Sequence, residues 1–152
     1  MAMLRSKPRR SGAKAVEAAF VLPVAFFLIF ALVIGATGIF RFQEVAYLAR
    51  EGARYASTHG AQYRTDAGMP SGTESDWEQD IINNGMLPKR LVLDPAKIAV
   101  DITWPPVINQ PTKPDNWPGS KVTVKVTYQW IPEGYLVGPV TLTSTSSMII
   151  TN

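Results

Sequence analysis

Residues 18–40 read AAFVLPVAFFLIFALVIGATGIF, 23 positions without a charge, of which 19 are apolar. As a helix this run is about 35 Å long at 1.5 Å per residue, enough to cross a hydrocarbon core about 30 Å thick. Outside it the composition is that of an ordinary small folded domain, so the chain of 152 residues reads as an anchor plus one modest domain. Charge divides at the same place. Arg5, Lys7, Arg9, Arg10 and Lys14 precede the run with Glu17, and everything after Phe40 sums to −1. The net charge of +3 therefore belongs to a short arm, which argues against a nucleic-acid-binding surface. A basic arm before a single span keeps the N-terminus in the cytoplasm and sends the C-terminal domain outward, across the cytoplasmic (inner) membrane. A cleaved secretory signal with its small residues at Gly35-Ala36-Thr37-Gly38 is the weaker reading, because such signals have a shorter apolar region.

Within the anchor, Glu17 needs an explanation. A carboxylate in a membrane helix costs about 2.5–3.5 kcal/mol at the bilayer centre and less near the interface, and by default it marks a function with a partner. Solvation at the interface, beside the positive end of the helix dipole, is the competing account, and position alone does not separate the two. Pro23 falls inside the run and reads as a kink, since membrane helices tolerate proline where soluble ones stop. Gly35 and Gly38 read as ordinary membrane composition.

Arg9-Arg10-Ser11-Gly12-Ala13-Lys14-Ala15-Val16-Glu17 and the following Ala18-Ala19-Phe20-Val21-Leu22-Pro23-Val24 place a glycine after a basic arm and a glutamate five residues beyond it. This resembles the processing site of prepilins and pseudopilins, and more closely the TadE-like (TadE/TadG family) minor pseudopilins of the tight-adherence, or Flp-type, pilus system. Arg50-Glu51-Gly52-Ala53-Arg54-Tyr55-Ala56 is similar to the segment those proteins carry just past the membrane helix. Residues 122–128 and 142–148 are loosely similar to their C-terminal part. The resemblance implies cutting by a prepilin peptidase between Gly12 and Ala13, which leaves Glu17 as the fifth residue of the mature chain. It also implies that Glu17 pairs with a neighbouring subunit's N-terminal amine during assembly, with other pilins, minor pseudopilins and the pilus assembly machinery as partners. The basic leader 1–12 would then be removed, leaving a mature chain of 140 residues with a side-chain charge of −1.

Beyond the span the helical pattern continues. Ala46, Ala49, Ala53, Ala56 and Gly60 recur at spacings of 3 and 4, one stripe of small residues that packs either on the protein's own sheet or on a neighbour's helix. Residues 13–59 thus form one assembly helix, with Glu51 and Arg54 spaced to pair on it. Residues 60–73, rich in glycine and hydroxyls, read as a loop. Thr73 and Asp76 then predict a capped helix, with Trp77 and Ile81 on one face and Gly85 as its end. The acids of that helix, Glu74, Asp76, Glu78 and Asp80, complement its dipole and lack the glycine and terminal glutamate of a calcium loop.

Past Pro88 the period becomes two. Residues 97–104 and 121–130 alternate apolar with polar, and 140–150 form a third, threonine-rich strand. Five prolines within the 105–119 segment forbid regular structure there, and Trp117 either reaches a partner or folds back on the sheet. The expected fold is α+β and pilin-like: a long N-terminal helix on a small antiparallel sheet, with residues 60–152 as the extracytoplasmic domain.

Catalytic signals are missing. The chain has no cysteine and a single histidine, His59, so zinc thiolates, thiol catalysis and histidine-based metal centres are excluded. No nucleophile elbow or phosphate loop occurs. No cofactor, metal or enzyme activity is expected. Two classes remain: a cleaved structural subunit of a pilus, or an uncleaved single-pass membrane protein whose outer domain binds in pilus assembly or cell-surface attachment.

Overall fold

The computed structural model describes residues 11–70, 72–105, 116–132 and 138–152. Most of the basic leader and residues 106–115 of the proline-rich loop lie outside the described residues. The chain forms two compact units, Met1–Thr37 and Gly38–Asn152.

The first element, α1, is a single helix over Ser11–Thr58 that contains Pro23 without stopping. In the first unit its large apolar side chains, from Val16 through Phe20, Phe27 and Leu32, are exposed. Thr37 returns its hydroxyl to the Val33 carbonyl at 2.9 Å, so even its polar group is used within the helix.

In the second unit, the C-terminal part of α1 lies on an antiparallel sheet of order β1-β2-β3, formed by β1 (Ile98–Thr103), β2 (Lys121–Trp130) and β3 (Val140–Ile149). In β2 the alternation resolves into two faces, with Val122, Val124, Val126, Tyr128 and Trp130 buried and Lys121 and Lys125 outside. Register places Val124 opposite Ile102 on one side and Ser146 on the other. Thr143 and Ser147 of β3 lie on the exposed face and pair across the sheet, Ser147 with Thr123 at 2.9 Å and Thr143 with Thr127 at 3.4 Å.

Small residues on α1 set how closely helix and sheet approach. Ala49, Ala53 and Ala56 are buried together with Val45 and Leu48, so the stripe packs within the chain. A Cβ added at Gly52 would lie 2.7 Å from the Met86 sulfur and 3.2 Å from Val124 Cγ1. At Gly38 it would lie 2.7 Å from the Trp130 ring, which makes this glycine a contact surface for β2 and corrects its reading as mere membrane composition.

Two expectations between helix and sheet change. Residues 60–73 contain a helix, α2 (Ala61–Asp66), before the turn at Gly68, whose φ is +65°. No capping side chain announces α2: its N-cap is Gly60, and its start is held by backbone bonds to Asn152 and Asn116. The next helix, α3 (Glu74–Asp80), carries the expected capping box, with the Asp76 carboxylate accepting from the Thr73 amide and hydroxyl at 2.8 Å each. Those bonds, the amide first, hold the Asp76 carboxyl below its usual range. Gly85 does not end the run. The chain continues from α3 as one turn of π-helix over Ile81–Met86, and Gly85 is instead where the Tyr55 ring lies: an added Cβ would be 2.7 Å from Tyr55 Cβ and Cγ.

Candidate functional site

Gly12 and Ala13 sit in the first turn of α1 and are exposed, with open space around the Gly12 Cα. Glu17 is also exposed and makes no hydrogen bond or ion pair among the described residues. On the helix it is four positions from Ala13, on the same face and about 6 Å along the axis. The three residues singled out from sequence are therefore on one accessible helix end. Phe20, Val21, Val24, Ala25, Leu28 and Ile29 continue it as an apolar groove.

The second motif has a packing role. In Arg50-Glu51-Gly52-Ala53-Arg54-Tyr55-Ala56, the Glu51 carboxylate accepts from Arg54 at 3.2 Å and pairs with Lys89, which sequence spacing could not reveal. Lys89 is the main cause, against some desolvation, of a Glu51 carboxyl held below its ordinary value of 4.5. A depressed carboxyl contributes stability that is present above the unfolded value and lost as pH falls through the folded one. Acid titration of the unfolding midpoint should therefore decline below about pH 4.5, and Glu51→Gln should remove about 1 kcal/mol or less of that decline. Equal acid sensitivity of the variant and the parent chain would contradict the assignment.

Tyr55 closes this end of α1. Its ring stacks on His59 at a centroid distance of 3.9 Å, His59 meets Tyr63 edge-on at 4.4 Å, and its hydroxyl lies 3.5 Å from Asp80 Oδ1. Burial, reinforced by the Asp80 charge, raises the Tyr55 phenol above its usual range. The lone histidine is thus part of an aromatic stack. Trp117 is half-buried and lines a pocket with Trp77, Arg64 and Met69, consistent with its folding back.

One functional-looking residue escaped the sequence reading. Glu44 is 4% exposed, and its Oε1 accepts the backbone N–H groups of Leu91, Val92 and Leu93 at 2.6, 2.9 and 3.2 Å. A signal existed: Glu44, Leu48, Gly52 and Ala56 fall at i, i+4, i+8 and i+12, so a carboxylate occupies the buried face. Its partners, 47 to 49 residues away, carry no side-chain signature.

One continuous helix thus joins the exposed Gly12, Ala13 and Glu17 to the packed Glu44 and Glu51. The family model described as TadE-like protein matches residues 12–54. Over that stretch the helix is similar to TadE-like proteins. The matched stretch begins at Gly12 and closes at Arg54, so it covers the processing and assembly candidates, the apolar run and most of the second motif. No curated protein and no solved structure matches the chain. The TadE-like helix is also the element long and apolar enough to be a candidate membrane span. Among the described residues no cluster of His, Asp or Glu is placed to hold a metal ion.

Proposed function

We propose that the chain is a minor pseudopilin: a single-pass protein of the cytoplasmic membrane, N-terminus inside, cut by a prepilin peptidase after Gly12 and used to assemble a tight-adherence pilus. The TadE-like match starting at Gly12, on an exposed stretch of α1 in which Glu17 is the lone carboxylate, is the observation that supports this most. Cutting the Gly12–Ala13 bond frees an amine one turn from Glu17. Within the chain the helix keeps the two apart along its axis; between neighbouring chains a shift of one turn brings the amine of one to the carboxylate of the other. Pairing removes most of the cost of burying either charge in lipid. The apolar groove from Phe20 to Ile29 would then pack against the same neighbour. In this role the protein is a structural subunit with no reaction of its own.

Co-expression with a prepilin peptidase, followed by mass spectrometry of the purified protein, tests the reading. The expected product lacks residues 1–12 and begins at Ala13. A chain that still begins at Met1 would overturn cleavage and favour the uncleaved membrane protein with an outward-facing binding domain. Glu17→Ala should leave cleavage and insertion intact while strongly reducing piliation; full piliation in that variant would return Glu17 to a solvated interfacial group.

A further inference from the structure

The turn after Lys89 combines features that a water-facing loop does not need. Leu91 and Val92 are 73% and 55% exposed, yet their backbone amides are bonded to the buried Glu44 carboxylate. In water those amides would be hydrated at little cost. Sunk to the level of the acyl chains they would have few partners, and each unsatisfied group would cost several kcal/mol. Glu44 Oε1 removes that cost for three consecutive residues.

Location supplies the occupant. Leu91 shares a pocket of about 270 Å³ with Phe40, Gln43, Glu44, Tyr47 and Arg50. Phe40 closes the uncharged run of α1, so in a membrane-spanning α1 it stands at the boundary between acyl chains and headgroups. Leu91 is beside it. Phe40 and Tyr47 add exposed aromatic surface of the kind that settles at this depth. Arg90 and Arg50 are exposed on the same patch, placed for anionic headgroups.

We infer that the Leu91–Val92 turn is a second membrane contact, held by Glu44 against the end of the span and inserted shallowly into the anionic lipid interface. The inference rests on the reading of α1 as a membrane span. It gives the C-terminal unit a contact of its own with the bilayer surface.

The chain contains no cysteine, so single labels can be placed freely. Leu91→Cys, Leu28→Cys and Lys125→Cys full-length variants, each carrying an environment-sensitive fluorophore, are reconstituted into phosphatidylcholine–phosphatidylglycerol vesicles containing doxyl-labelled lipid. The probe at position 28 reports the span and that at 125 the outer face of the sheet. Shallow doxyl groups are expected to quench position 91 by about half, as suits a depth of about 5–10 Å, and to leave position 125 unchanged. Quenching at 28 with none at 91 would overturn the inference while leaving the span in place. No quenching at 28 would overturn the span reading itself. A probe at 91 untouched by doxyl lipid but shielded as the protein-to-lipid ratio rises would assign the turn to a contact between copies, and that too overturns the lipid contact.

Discussion

Gly60→Ala is expected to lower unfolding stability by about 3 kcal/mol, at the upper end for an overpacked core position. The added Cβ would lie 2.5 Å from the Asn152 carbonyl oxygen, 2.7 Å from that of Asn116 and 2.6 Å from Ile150 Cγ2. Two of the three obstacles are backbone, so no rotamer change relieves them. Moving them would break the bonds that close the domain: Gly60 N–H to Asn152 O at 2.9 Å, Ala61 N–H to Asn116 O at 3.1 Å, and Thr151 N–H to Ser57 O at 2.8 Å. Urea unfolding of the full chain in detergent, followed by tryptophan fluorescence, measures the loss. Gly35→Ala, where nothing lies within 4 Å, is the control and should change stability little. Equal effects at 60 and 35 would show that the close approach at Gly60 is not what matters.

Glu44→Ala should cost about 1.5–3 kcal/mol, the range for a hydrogen bond to a charged group, because the Leu93 amide is left buried without its acceptor while those of the exposed Leu91 and Val92 can turn to water. Three amides, Leu91, Val92 and Leu93, lose their common acceptor at once. Glu44→Gln keeps an oxygen in the same place and gives up only the charge, so its cost should be about 1–2 kcal/mol. Hydrogen exchange gives the local readout: amides 91–93 should exchange faster in Glu44→Ala than in Glu44→Gln, with the strands of the sheet changing least. Unchanged exchange at those three amides would remove Glu44 from its role as their anchor.

These substitutions fall where sequence patterns were weakest. Val122 through Trp130 announced their strand by simple alternation, because a sheet with one buried face imposes a period of two on every residue it contains. The Thr73–Asp76 box announced its helix because both partners are side chains three residues apart. For α2 the stabilising partners are backbone carbonyls far along the chain, so Gly60, read as the start of a loop, instead leads into a helix held by those contacts. Gly85 misled for the same reason. Its missing side chain accommodates Tyr55 and has no bearing on where the helical run ends.

At the candidate site the division is similar. Gly12, Ala13 and Glu17 can be proposed from the sequence because they are singled out by spacing along one helix and by charge against an apolar background. Lys89 as the partner of Glu51, and the 91–93 amides as partners of Glu44, were not. Backbone amides are the same at every residue, so no sequence pattern distinguishes the three that Glu44 selects.

By itself the sequence determined the long apolar run, the charge asymmetry on either side of it, the long helix, the three strands and the segment similar to TadE-like proteins. Each depends on local periodicity, on spacing within one element or on summed transfer free energy, all of which survive in a linear string. Only the tertiary structure decided which small residues of α1 serve as contact points, what Glu44 and Glu51 bind, and that Leu91 lies beside Phe40. Those facts depend on segments brought together across tens of residues, where the energy lies in close approach and backbone hydrogen bonds that no residue type encodes alone.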